Sequence, residues 1–336
     1  MTSEGQSPDL SGGRGFRAVR ESMYKYALLG CAVLSVLTTV SIIGVLIVDA
    51  AQFFQEVPLL QFLTGTRWSP NLQPVQFGIL PLILGTLMIT LGAAVIALPL
   101  GLLTAIYLSE YATPRARSIL KPLLEILAGV PTVVYGYFAL VYVTPALNAF
   151  LSGLNDILGL ALPRLGLFNG LSASIVVGIM IIPMVSSISE DAMSAVPDSL
   201  RQAGYGLGAT KFNVSTTIVV PAAISGITSS FILAISRAIG ETMAVTLAAG
   251  TNPPEFPPVH TIFGLPYFAP GDLLGLYADS MATMTVAMIN IAGGDISGGS
   301  IAYQSLFAIG ITLFTITLAM NVISNLIADR YREVYE

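Results

Sequence analysis

Long apolar stretches alternate along the chain with short segments that carry most of its charge. Read between charges, six stretches stand out, at about 26–48, 79–108, 126–147, 171–188, 212–236 and 303–327. A helix rises about 1.5 Å per residue and a bilayer's hydrocarbon core is about 30 Å thick, so about 20 apolar residues make a span. The pattern predicts six transmembrane helices. Ser280 to Gly294 is also apolar but too short to cross, and reads as a re-entrant or surface helix. Between Thr251 and Gly275 lie Pro253, Pro254, Pro257, Pro258, Pro266 and Pro270, which exclude a long helix there. Phe53 to Phe77 opens on two phenylalanines and contains Trp68, suiting an interfacial segment. No internal repeat stands out.

Composition agrees and narrows the class. Hydrophobic residues make up 54% of the 336 residues and charged residues 10%, against about 25% charged in a soluble domain. A soluble fold could not cover that much apolar surface, and a disordered chain would be charge-rich and apolar-poor. The chain is therefore expected to be an all-α integral membrane protein. Its first apolar run is longer than the roughly 7–15 residues of a signal-peptide core, so it reads as an uncleaved helix. Cys31 is the only cysteine and His260 the only histidine, so no disulfide framework and no His-based metal or catalytic site is expected. Cys31 and the methionines read as apolar packing, and His260 as a surface residue. Asn213-Val214-Ser215 fits the glycosylation pattern, but on the side assigned below to the cytoplasm.

Orientation follows from Lys and Arg rather than from the net charge of −5. Arg14, Arg17, Arg20 and Lys25 precede the first span, and Arg115, Arg117 and Lys121 follow the second. Arg201 and Lys211 lie between the fourth and fifth, and Arg330 and Arg332 follow the sixth. Only Arg67 and Arg164 fall on the other side, and Glu241 to Asp329 holds neither Lys nor Arg. Six helices with both ends in the cytoplasm satisfy every loop. Residues 1–20 are expected to be a disordered cytoplasmic tail, and 21–336 a single transmembrane domain. Glu125, one turn after Lys121, is expected to pair with it at the interface.

The cytoplasmic segment 189–211 is the longest of its kind and has clear punctuation. Pro197 and Asp198 suit the start of a helix, Gly206 and Gly208 its end, and Thr210 the cap of a second helix running into span five. Its sequence reads Gln202-Ala203-Gly204, three residues, Gly208, nine residues, Ile218-Val219-Val220-Pro221. This resembles the EAA loop of ABC importer permeases: Glu-Ala-Ala, three residues, Gly, nine residues, Ile-x-Leu-Pro. Gln202 stands for Glu, Gly204 for Ala and Val220 for Leu. By that resemblance Gln202, Ala203, Gly204, Gly208 and Pro221 belong to a knob that docks on a separate ATPase. A Walker A loop needs a lysine after a glycine, and none of Lys25, Lys121 and Lys211 follows one. The chain is thus expected to be a transport subunit, not an enzyme, with no cofactor of its own and ATP bound by a partner.

Arg237 and Glu241 interrupt an otherwise uncharged stretch from Phe212 to Pro254. Ionisable groups at membrane depth are rare and usually functional. On a continuous helix they would share a face and pair, with Arg237 about 24 Å beyond Pro221. Two readings stand side by side: a pair that locks helix geometry, and an arginine offering its planar donor fork to an oxyanion in the pathway.

The surrounding Arg237-Ala238-Ile239-Gly240-Glu241-Thr242 resembles the signature of phosphate ABC importer permeases, and Met243-Ala244-Val245 after it is closer to the PstC type than the PstA type. Gly85 to Thr90, Pro99-Leu100-Gly101, Tyr107 to Tyr111 and Gly129 to Gly136 are similar to that family's second and third helices. The resemblance implies an importer permease with six helices in the prokaryotic plasma (inner) membrane. It implies inorganic phosphate as substrate, with Arg237, Glu241 and Thr242 in its path. It also implies a PstA-like second permease, two PstB-like ATPases, a PstS-like phosphate-binding protein, surrounding lipid and no nucleic acid. Another oxyanion such as sulfate or molybdate is the nearest alternative. A secondary anion transporter working without ATP is the more distant one.

Overall fold

The computed structural model describes residues 14–332 except 72, 160–161, 258–259, 263–264, 268–269 and 295. Helix α1 runs over Arg14–Glu56 and is followed by the short α2, Leu59–Thr64. Helix therefore begins inside the segment expected to be disordered, and residues 1–13 lie outside the described ones. A small hairpin of β1, Trp68–Ser69, and β2, Gln76–Phe77, leads into α3, Leu80–Ile106, which ends in a π turn at Tyr107–Tyr111. Next come α4, Pro114–Ala128, and α5, Thr132–Phe138, then a π turn at Ala139–Val143 and α6, Thr144–Leu158. Helix α7 covers Gly170–Ser194, and α8, Asp198–Gly206, and α9, Lys211–Val214, follow it. A π turn at Ser215–Val219 precedes α10, Val220–Ala222, α11, Ile224–Ile239, and α12, Met243–Ala249. A hairpin of β3, His260–Ile262, and β4, Leu265–Tyr267, is followed by α13, Pro270–Leu276, α14, Met284–Gly293, and α15, Ile301–Arg332. The side chain of His260 lies outside the described residues.

Among the described residues, five helices are long and apolar enough to cross a membrane: α1, α3 with its π turn, α5 through α6, α7, and α15. The pair at Lys211–Ala222 and Ile224–Ile239, bent by 72°, brings the number to six when it is counted as one span. The break falls at Ala223, two residues after Pro221. The third span differs from expectation at both ends. Gly129-Val130-Pro131 breaks the chain between α4 and α5, so the span is 132–158 rather than 126–147. Residues before it belong to α4, an amphipathic helix with no buried residue, capped by the Thr113 hydroxyl.

The core is built on α3 and α7, packed along their lengths, with α11, α12 and α14 against them. Gly136 on α5 permits one close approach: a Cβ there would lie 2.8 Å from Leu247 Cβ and 2.9 Å from the Ala244 carbonyl oxygen of α12. Helix α14 is buried through Met284, Val286, Ala287 and Ile291, so it packs inside the fold rather than lying on its surface. By contrast α1 leaves its apolar side chains exposed on the single chain and packs on α15. Cys31 sits on that exposed surface rather than in packing. The outer end of α1 is held differently. Phe53 is fully buried, edge-on to Phe54, Phe62 and Phe77, with Trp68 beyond Phe77.

Candidate functional site

Two places hold the residues singled out by the sequence, one at the charged ends of the helices and one at a break between α11 and α12. At the charged end, Pro197 precedes α8, Asp198 is its first residue, and the helix stops at Gly206. The chain then reverses at Gly208, whose φ of +81° is a left-handed conformation that favours glycine. Thr210 caps α9 by accepting from the Asn213 N–H at 3.3 Å. Gln202 and Ala203 face outward, as do Leu200, Tyr205 and Leu207. Gly204 faces inward, where a Cβ would meet Ile218 Cδ1 at 2.6 Å and Val214 Cγ2 at 3.0 Å. The result is a two-helix knob with an apolar, polar-edged outer surface. Pro221 lies apart from it, at the 72° bend in the following span.

A belt of ion pairs ties this end together. Glu190, fully buried near the end of α7, accepts from Arg117 and, at 2.7 Å, from Lys121, both on α4. Lys121 also reaches Asp191 at 2.8 Å, and Ser194 donates to Glu190 at 3.1 Å. The expected Lys121–Glu125 pair does not form, because Lys121 is committed across to α7. Asp191 and Glu190 hold the Lys121 ammonium above its ordinary range. Arg201 of α8 reaches Glu110 at 3.0 Å. Single-sequence reasoning missed this belt. Its acid and base partners lie 69 to 91 residues apart, and only their placement at loop ends hinted at it.

The second place is the Arg237–Thr242 segment. Here the expected ion pair is corrected: α11 ends at Ile239, so Arg237 and Glu241 do not share a continuous helix and form no pair. Gly240 closes α11, and Glu241 turns inward to accept from the Ala244 N–H at 3.2 Å, serving the first turn of α12. Its backbone carbonyl accepts from the Thr285 hydroxyl of α14 at 3.0 Å, and Thr285 lies 2.9 Å from Thr283. The Thr86 hydroxyl of α3 accepts from the Met284 N–H at 3.0 Å. Thr285 thus ties the break to α14, and Thr86 ties the start of α14 to α3. Thr242 is partly exposed, and its hydroxyl donates to the Gly240 carbonyl at 3.2 Å. Arg237 is exposed on the single chain, beside Leu233 one turn earlier, and forms no ion pair with any described residue. The 72° bend also means that the 24 Å distance worked for a straight helix does not apply.

This geometry can anchor a partner at one end and present an unneutralised guanidinium at the other. No group of three or more metal-binding side chains occurs among the described residues. Comparison with known proteins gives the following. Residues 97–333 match the family described as binding-protein-dependent transport system inner membrane component. A probable ABC transporter permease protein of Bacillus subtilis, YqgH, is 30% identical over 96% of each chain. The phosphate transport system permease protein PstC of Xylella fastidiosa is 31% identical over 95% of this chain and 94% of its own. A solved bacterial ABC transporter involved in import of the acidic polysaccharide alginate shares the fold, with a TM-score of 0.60 at 14% identity over 96% of this chain and all of its own.

Proposed function

From its membership in the family of binding-protein-dependent transport system inner membrane components, we propose that the chain is the permease subunit of an ATP-driven importer of inorganic phosphate. It is a multi-pass plasma-membrane subunit that works beside other ABC transporter subunits. The observation that carries the substrate is likeness over 95% of the chain to a permease named for phosphate transport. The Arg237-to-Thr242 sequence supports it.

In this reading the chain forms half of the translocation pathway, facing a PstA-like permease. Two PstB-like ATPases bind the ATP and dock on the knob formed by Gln202, Ala203, Gly204 and Gly208. A PstS-like protein delivers phosphate from outside. The chain itself holds no cofactor and catalyses no reaction. Arg237 faces the path, and its fork of donors suits a tetrahedral oxyanion better than the point charge of a lysine. Glu241 and Thr242 shape the break that places it, Glu241 by capping α12 and Thr242 by turning the backbone.

Copurification with a P-loop ATPase tests the importer class; a chain that retains none under gentle solubilisation refutes it. Phosphate uptake by Arg237→Gln tests the residue, with subunit assembly followed separately. Uptake is expected to fall at least tenfold with assembly intact. Normal uptake would remove Arg237 from the path.

A further inference from the structure

A nine-residue helix is too short to hold its shape or position alone. Helix α8 buries only Gly204 among its residues, so apolar packing holds it on one side and a polar tether is needed on the other. Arg201 supplies one. Its side chain is 15% exposed, and that of Glu110 is 4% exposed. Nε and Nη2 of Arg201 both donate to Glu110 Oε1, at 3.3 and 3.0 Å. Nη2 also donates to the Met193 carbonyl oxygen at 2.8 Å, and Nη1 donates to the Val196 carbonyl oxygen and to Asp198 at 3.2 Å. Met193 and Val196 flank the end of α7, where carbonyl oxygens have lone pairs open to a side-chain donor. Glu110 stands on the π turn that ends α3 and is held there by the Ser109 hydroxyl at 3.1 Å. One planar cation therefore joins α8 to the ends of the two helices on which the core is built. On its other side Gly204 rests on Val214 and Ile218, which lead toward α11.

We propose that Arg201 is the positioning residue that makes α8 move as one body with α3 and α7, so that force applied to the knob reaches the membrane core. The proposal rests on the importer reading and adds to it the element that carries the stroke. A lysine keeps the charge but has one ammonium on a flexible stem, and cannot serve Glu110 and two carbonyls in the same geometry.

The complete transporter, with its ATPase and binding protein in proteoliposomes, gives the test. Arg201→Lys and Arg201→Met are compared with the unaltered chain for ATPase retained, ATP hydrolysed and phosphate imported. Retention and hydrolysis are expected to stay within about twofold. Phosphate imported per ATP is expected to fall at least tenfold in Arg201→Met and by a smaller factor in Arg201→Lys. An unchanged ratio overturns the proposal, as does a loss of uptake that only tracks loss of ATPase. A second reading needs no transport. Spin labels at Tyr107→Cys and Tyr205→Cys, with Cys31→Ser, are expected to give one narrow distance distribution that at least doubles in width with Arg201→Met. Unchanged width overturns the tether. Failure of the importer reading would look different: the unaltered chain would retain no ATPase while the label distance still answered to Arg201.

Discussion

Glu190→Gln tests the belt that joins α4 to α7. The carboxylate is fully buried and receives Arg117, Lys121 and Ser194. A glutamine has one acceptor oxygen and one NH2, so in either orientation it turns a donor toward one of the two cations. Breaking a buried pair by neutralising one partner costs about 3–5 kcal/mol when the remaining charge stays buried. Here Arg117 is 41% exposed and Lys121 29%, and Asp191 still holds Lys121. Both cations can therefore turn toward water, and about 2 kcal/mol is the reasonable loss. At about 1.4 kcal/mol per tenfold, α4 should detach from α7 about 30 times more often. Hydrogen exchange of the α4 amides in detergent or nanodiscs reads this opening directly. Asp191→Asn is the control, because Asp191 is 64% exposed and exposed pairs contribute about 0–1 kcal/mol. Equal exchange in Glu190→Gln and the unaltered chain would refute the reasoning, as would an Asp191→Asn effect of the same size.

Two further outcomes follow from the geometry. Gly136→Ala should lower the thermal unfolding midpoint in detergent, at about 1–3 kcal/mol for overpacking against α12, whereas Gly153→Ala, with nothing within 4 Å of the added carbon, should not. The Lys121 ammonium has a folded pKa raised above its ordinary 10.5, so its contribution is complete below that pH and is lost as pH climbs through the raised value. A spin label at Ser118→Cys should keep constant mobility from neutral pH up to about 10 and loosen above 10.5, a step absent in Lys121→Met.

Features set by local chemistry were legible in the sequence. Hydrophobic stretches bounded by charge revealed the spans, and the Pro197, Gly208 and Thr210 punctuation revealed the two helices of the knob. The third span was misplaced because apolar residues at the end of α4 run on from 126 without a charge, and a count between charges passes over Gly129 and Pro131. The Arg237–Glu241 pair was expected from spacing alone. Gly240 and the acid after it were the signal for a helix end, since a carboxylate can satisfy the N–H groups of the next helix as readily as it can face an arginine. The belt around Glu190 and Glu110 is a product of folding, which brings charged loop ends together from distant parts of the chain.

The pinning of α1 at Phe53 has a consequence for biogenesis. This helix precedes the other spans in the chain and so leaves the ribosome before them. Its side chains are matched to lipid along most of the length, so it needs no protein partner to be stable in the bilayer. Its basic flank can fix the orientation that every later helix inherits. Integration into the fold then falls to its outer end, where Phe53 meets Phe62 and Phe77 only after α2 and the first hairpin have crossed and folded back. The aromatic cluster thus acts as a latch that can close as soon as residues up to Phe77 have crossed, before α3 follows, joining an independently inserted helix to the start of a core that assembles behind it.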